Sequence, residues 1–270
     1  MILVIDALNR HKFPHIMKEM FELRARVFGD RMGWDVTIKD GMERDSFDDM
    51  DPSYAVGLDH DGHVVSCVRA LQTTGPHMLA DVFSAILDGE APLRSPNLWE
   101  STRFCVDTKR LGRGKDRNSV SYATCELMIA SLEAARDAGV TDIVTVIDPL
   151  MDRILKRSGN TPYGYVGKQA DMGKVPALAA LLDCTEERIN RIRAFAGIQH
   201  DVFIAEDEVL AAANYQPEAQ QADSKAQLID LNGYCQEQID AAQSETERGA
   251  ALALQRVLFD KFHSTRACNA

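Results

Sequence analysis

The run Lys109-Arg110-Leu111-Gly112-Arg113-Gly114 brings cations and glycines together at one expected turn. Between a strand and a helix, such glycines let backbone N–H groups face an anion, and the helix N-terminus adds a favourable dipole. A pyrophosphate or phosphopantetheine group suits that cradle, and a solvated basic loop is the plainer reading of the same residues. A second set lies upstream of it: Arg24, Phe28, Trp34, Asp45, Asp48, Arg69, Glu100 and Arg103. Aromatic faces attract cations, a positioned carboxylate takes up protons, and guanidinium forks match carboxylates in a geometry that Lys lacks. The same side chains could instead pack and form a buried ion-pair network.

These residues need a scaffold, and the hydrophobic pattern supplies one. Ile2 to Ile5 reads as a strand, and His15 to Phe28 carries apolar residues at near-helical spacing. Gly29 to Ser53 is polar and longer than a usual connection, as functional loops often are. Tyr54 to Leu58 and His63 to Leu71 flank Asp61-Gly62, which predicts an antiparallel hairpin. A helix is expected around Met78 to Leu87, a strand from Leu98 to Val106, and a long helix from about Val120 to Ala138, stopped by Gly139. Strands follow at Ile143 to Ile147 and Tyr163 to Val166, helices at Leu150 to Arg157 and Glu186 to Phe195, and a last strand at Val202 to Ala205. This order implies an α/β fold, a three-layer α/β/α sandwich around a mixed, largely antiparallel sheet. After Glu206 the composition shifts to Ala, Gln, Glu and Asp, and Ala251 to Phe262 regains an apolar helical stripe. The expected division is a main domain over 1–205 and a partly helical or disordered C-terminal extension over 206–270.

At 270 residues, with 45% hydrophobic and 26% charged residues, the chain can bury a sizeable core. The net charge of -11 argues against non-specific nucleic-acid binding, which needs a basic face. A membrane span is not expected: no apolar stretch reaches the necessary length, and the N-terminus lacks the pattern of a signal peptide. A cytoplasmic location is the expectation. The six cysteines, Cys67, Cys105, Cys125, Cys184, Cys235 and Cys268, are scattered without a Cys-x-x-Cys pair, so buried, reduced thiols are expected and no metal ribbon or redox dithiol.

The second set of residues sits in a longer pattern. Leu23-Arg24-Ala25-Arg26-Val27-Phe28 is followed by Gly33-Trp34, then Gly41-Met42-Glu43 with Asp45, Phe47 and Asp48. Val68-Arg69, Trp99-Glu100-Ser101-Thr102-Arg103-Phe104-Cys105-Val106-Asp107 and Ile154-Leu155-Lys156-Arg157-Ser158-Gly159 continue it. In order and spacing, residues 1 to about 205 resemble the LuxI-type acyl-homoserine-lactone synthases. The basic Gly turn separately resembles the Gly-rich motif of GNAT acyltransferases, so a GNAT-like fold is implied.

The resemblance implies an acyltransferase that makes a quorum-sensing signal, with S-adenosylmethionine as substrate and no bound cofactor or metal. Trp34 or Phe28 would face the sulfonium and Asp45 or Asp48 the α-amine, with Phe104 alongside. Arg24, Arg69 or Arg103 would take the methionyl carboxylate. Glu100 would act as base, with Arg103 also counted as catalytic, and backbone amides near Ser101 to Phe104 would receive the developing oxyanion. Met128, Leu132, Val144, Thr145, Val146 and Leu155 are candidate walls of an acyl pocket, or ordinary core. Thr145 stands where the family tends to have Thr with 3-oxo-acyl substrates. Lys156 and Arg157 match the segment linked to docking of acyl carrier protein (acyl-ACP), and Lys109, Arg110, Arg113 and Lys115 add charge that suits either that carrier or acyl-CoA. The chain departs from the family in Asn160, where many relatives have Trp, and in its extra C-terminal length. The rival readings are a GNAT-type acyltransferase acting on another amine and a lactone sensor. The first leaves the Arg24 to Asp48 pattern unexplained, and the second lacks a DNA-binding helix pair.

Overall fold

Runs rich in Val, Ile and Leu form the strands expected of them, and the side-chain alternation along each strand divides the core into two faces. The computed structural model describes residues 1–110, 121–171 and 175–212, which lie within the unit Met1–Tyr215. Its strands are β1 (Ile2–Ile5), β2 (Ile38–Lys39), β3 (Met42–Glu43), β4 (Ser53–Leu58), β5 (Val64–Gln72), β6 (Leu98–Val106), β7 (Asp142–Ile147), β8 (Gly164–Asp171) and β9 (Pro176–Asp183). The α-helices are α1 (Pro14–Arg24), α2 (Met78–Asp81), α3 (Tyr122–Asp137), α4 (Pro149–Arg157), α5 (Glu186–Ala196) and α6 (Glu206–Ala212).

Seven strands make one sheet in the order β1-β4-β5-β6-β7-β9-β8. Every neighbouring pair is antiparallel except β6 and β7. One face buries Val68, Ile143 and Ile147 against Leu127, Met128 and Leu132 of α3, Leu155 of α4 and Ile189 and Ile192 of α5. The other buries Leu3, Ile5, Val56 and Cys67 against Met20, Phe21 and Leu23 of α1. Farther along that second face, Leu79, Ile86 and Leu87 cover Leu98 and Val144. The three-layer mixed sandwich expected from the sequence is therefore present.

Several local expectations change. The polar stretch Gly29 to Ser53 is not simply a loop. Helix α1 runs on as π-helical turns through Ala25–Arg31, and β2 and β3 form a hairpin around Asp40 and Gly41, both at positive φ (52° and 78°). An Asp-Gly pair, which tolerates positive φ, makes the two-residue turn. The 3-10 turn Ser46–Asp49 follows, with Asp45 and Asp48 forming its capping box. The helix expected over Met78 to Leu87 is two short pieces, α2 and a 3-10 turn at Ser84–Leu87. Strand β9 went unseen because Ala177-Leu178-Ala179-Ala180-Leu181-Leu182 has neither strict alternation nor a β-branched residue. Val202 to Ala205 is not a strand but a single bridge, Phe203 to Ile2. Of the extension after Glu206, α6 is described, and Val209 packs with the α1 side of the core. The remainder, including Ala251 to Phe262, Cys235 and Cys268, lies outside the described residues, as do Leu111 to Val120 with the glycines of the basic turn.

Candidate active site

Three arginines and three carboxylates meet on the α1 face. Arg24 reaches them from the last turn of α1, Arg69 from β5 and Arg103 from β6, while the β3 hairpin brings Glu43 and the capping box brings Asp45 and Asp48. Arg24 donates to Asp48 through Nη1 at 2.7 Å and Nη2 at 2.9 Å, and to Glu43 through Nε at 2.6 Å. Arg69 donates to Asp48 at 2.8 Å, to Asp45 through both Nη atoms, and to the Thr102 hydroxyl at 3.0 Å. Asp48 also accepts from the Tyr54 hydroxyl at 2.7 Å and from the Asp45 backbone N–H. Burial by itself would raise the Asp48 carboxyl, but Arg24 and then Arg69 hold it well below the usual carboxylate range. Burial, with Asp48 alongside, pushes the Tyr54 phenol up.

The six are not equivalent. Arg24, Glu43, Asp48 and Arg69 have fully buried side chains, whereas Arg103 keeps 9% and Asp45 19% exposure. Arg103 lies where Arg69 and Cys67 on β5 face Thr102 and Cys105 on β6, so β6 carries one residue more than its partner. Such a bulge re-aims a side chain, and Arg103 takes the left-handed φ of 55° there. Its guanidinium meets Glu43 at 3.0 Å and Asp45 at 2.8 Å and lies 5.6 Å from the centroid of the Phe28 ring. Phe28 stacks on Trp34, with centroids 5.2 Å apart and planes 22° apart. Arg103, Asp45, Phe28 and Trp34 thus form an edge where a cation, an amine and a carboxylate could be met together. Phe104 packs instead toward the α3 face.

Glu100 faces the same side as Arg69 and Thr102. Both its oxygens accept backbone N–H groups at the start of α2, from Met78 at 2.6 Å and Leu79 at 2.7 Å. Burial pushes its carboxyl up to about 7, against the pull of those two N–H groups and of Arg69. A carboxylate offers about four lone-pair sites, so two bonded oxygens can still take up a proton. Strand β6 pairs with β7 only from Leu98↔Asp142 to Ser101↔Thr145, although both strands run on. The segment from Thr102 to Phe104 lies beyond the last β6–β7 pair.

The six proposed acyl-wall residues do not share one cavity. Met128, Leu132 and Leu155 belong to the α3 face, but Val144 and Val146 point to the opposite face, under Leu79 and Ile86. Alternation along β7 enforces this split. Thr145 donates its hydroxyl to the Ser101 carbonyl at 3.0 Å, which ties β7 to β6 at the last paired residues. Lys156 is engaged by Asp152 at 2.7 Å and lies over the Tyr165 ring, while Arg157 is exposed. Arg110 pairs with Asp59, and Arg113 and Lys115 lie outside the described residues. Asn160 is buried and accepts from Arg188 at 3.1 Å, so it serves the α5 packing.

Glu43 was missed as a site residue. Charge counting gave no signal, since Asp45, Asp48 and Glu100 already match the three arginines in number; the only pointer was its place in the Gly41-Met42-Glu43 run. Met78 and Thr102 gave none, because nothing in a strand or helix pattern announces a contact to guanidinium.

Fold and site define an α/β enzyme in which burial raises a carboxyl toward neutrality and Met78 joins it to a cluster of three arginines and three acids. The family model described as "Autoinducer synthase" matches residues 8–192. The acyl-homoserine-lactone synthase of Agrobacterium fabrum (strain C58) is 38% identical over 181 residues, 67% of this chain and 85% of the relative. That of Pseudomonas aeruginosa is 32% identical over 162 residues, 58% of this chain and 78% of the relative. Among solved structures, the CoA-dependent synthase BjaI with SAM and isopentyl-CoA superposes with a TM-score of 0.65 at 25% identity, covering 80% of this chain and 99% of that one. LasI gives 0.61 at 28% identity, covering 74% and 98%. The chain belongs to the autoinducer synthase family.

Proposed function

We infer that the protein is an acyl-homoserine-lactone synthase that joins S-adenosylmethionine to an acyl thioester and releases a lactone signal and methylthioadenosine. The observation that carries this reading is the exposed edge of the charge cluster. Arg103 contacts Asp45 and the Phe28 ring, on which Trp34 stacks, and Met78 bonds to both Arg103 and Glu100, so that a carboxylate, an amine and a sulfonium would each have a partner of the right kind. Arg24, Arg69, Glu43 and Asp48 act behind them as a fixed frame, since their donors and acceptors are turned onto one another.

The α-amine must be neutral to attack. Glu100, directly or through a water, takes its proton, and the amine lone pair forms the bond to the thioester carbonyl carbon. Backbone N–H groups of the Thr102 to Phe104 segment receive the oxyanion, whose collapse breaks the carbon–sulfur bond; the departing sulfur takes the second amine proton and leaves as the thiol, and an amide remains. The methionyl carboxylate then attacks its own γ-carbon. The carbon–sulfur bond breaks, its electron pair neutralises the sulfonium, and the five-membered lactone closes, aided by the short distance between its ends. The donor is the thioester of acyl carrier protein or of coenzyme A, and Lys156 and Arg157 belong to the carrier-docking face in this reading. The acyl chain runs along the α3 side of β7, over Met128, Leu132 and Leu155. Residues 206–270 are assigned as an extension outside this chemistry, and the buried free thiols of Cys67, Cys105, Cys125 and Cys184 suit a cytoplasmic location.

Incubation of the protein with S-adenosylmethionine and acyl thioesters, followed by mass analysis, should yield methylthioadenosine and lactone in equal amounts. Amide or thiol release without methylthioadenosine would point to an acyltransferase of another kind, and no binding of S-adenosylmethionine by calorimetry would overturn the reading.

A further inference from the structure

Met78 touches both halves of the site through different atoms. Its backbone N–H donates to Glu100 Oε2 at 2.6 Å, and its thioether sulfur accepts from Arg69 Nη2 at 3.2 Å and Arg103 Nη1 at 3.5 Å. The side chain is 4% exposed and packs with Phe47 and Leu71. Glu43 and Asp45 hold Arg103 through Nε and Nη2, and the sulfur meets Nη1. The Arg103 backbone sits at a bulge with a left-handed φ, so strand alternation does not decide where its guanidinium points.

The chemistry of position 78 is constrained by the charges around it. Arg24, Arg69 and Arg103 already balance Glu43, Asp45 and Asp48. A further carboxylate would leave the buried cluster negative, and a Lys would leave it positive, either at a cost in a site this dry. A thioether is a weak, polarizable, uncharged acceptor on an unbranched chain that fills irregular gaps. It can meet the remaining guanidinium N–H groups without disturbing the balance.

We propose that Met78 is a positioning residue for S-adenosylmethionine: its sulfur fixes the Arg103 guanidinium at the mouth of the cluster, in register with the Glu100 carboxylate that its own backbone anchors. This rests on the synthase reading, and the test separates the two. Met78→Leu nearly conserves volume and keeps the backbone N–H on Glu100, but removes the acceptor. Met78→Gln returns an oxygen acceptor without charge.

Steady-state kinetics with each substrate varied in turn, and a pH profile of kcat, give the readouts. Met78→Leu should raise KM for S-adenosylmethionine about tenfold, the equivalent of about 1.4 kcal/mol for hydrogen bonds to charged donors, with KM for the thioester unchanged. The pH midpoint of kcat should stay in place, because the Glu100 contacts are untouched. Met78→Gln should recover most of the loss. Unchanged kinetics in Met78→Leu, or equal losses in both variants with a displaced pH midpoint, would overturn the proposal, the latter showing that Met78 merely packs α2. Should Met78→Leu fail to fold, calorimetric affinity of Met78→Gln for S-adenosylmethionine decides, near wild type in support and weakened against. A wild-type protein that ignores S-adenosylmethionine refutes the synthase activity itself, whereas an active wild type matched by Met78→Leu refutes only the role of Met78.

Discussion

Arg24 and Asp48 form a two-pronged ion pair, Nη1 to Oδ1 at 2.7 Å and Nη2 to Oδ2 at 2.9 Å, with neither side chain exposed to solvent. One end belongs to α1 and the other to the capping turn at Ser46–Asp49, so the pair locks that turn onto α1. Removing one partner strands the other as an uncompensated buried charge. Asp48→Asn should therefore cost about 3–5 kcal/mol of stability, read by urea unfolding. A loss under about 1 kcal/mol would mean that the pair does not hold the segment in solution.

The same carboxylate sets an acid limit. Its folded-state value is depressed below the ordinary 3.8, so its contribution to stability is present above that value and is lost as pH falls through the folded-state value. Thermal unfolding midpoints of the wild type should drop steeply on that acid side. In Asp48→Asn the slope there should be shallower.

Glu100 works in the opposite sense. Its folded-state value of about 7 lies above the ordinary 4.5, so the stability it contributes is complete below 4.5 and is lost as pH rises through 7. Activity should follow the ionised form and rise with pH through about 7. Glu100→Gln should lower kcat about 10²- to 10⁴-fold and abolish that rise. It should also cost about 1–3 kcal/mol, because one amide oxygen cannot serve two backbone N–H groups as well as a carboxylate does. Near-normal turnover by a folded Glu100→Gln protein would remove the base assignment.

Trp34 stacks on Phe28, whose ring also faces Arg103. In the proposed role, Trp34→Ala removes an aromatic face for the sulfonium, a contact contributing about 0.5–2 kcal/mol, so KM for S-adenosylmethionine should rise about twofold to thirtyfold. Thioester KM should stay as it is, and the reverse pattern would move Trp34 to the acyl side.

The split of the apolar wall yields a contrast within one strand. Met128→Phe, on the α3 face, should narrow the acyl space and shift the products toward shorter chains. Val144→Ala, on the opposite face under Leu79, should lower stability and leave the chain-length profile alone. Mass analysis of lactones made from a mixture of thioesters would expose an inverted assignment.

Residue types and local spacing determined much of this protein on their own. Asp61-Gly62 marked the β4–β5 hairpin, Gly139 closed α3, and the arginines, aromatics and acids of residues 24–103 offered two readings, a substrate site and a buried ion-pair network, before any contact was known. These signals are local: a turn needs a particular φ, a helix needs a cap, and a charged side chain carries its chemistry wherever it goes. Long-range geometry decided the rest. Only the folded chain sets Arg24 and Arg69 inside and Arg103 at the edge, because a bulge one residue long turns β6. Only the sheet assigns Val144 and Met128 to opposite faces, since the parity of a strand gains meaning from what covers each side. Nor could Met78 be read in advance, because a sulfur between two guanidiniums is a property of three segments meeting, and no one of them carries it alone.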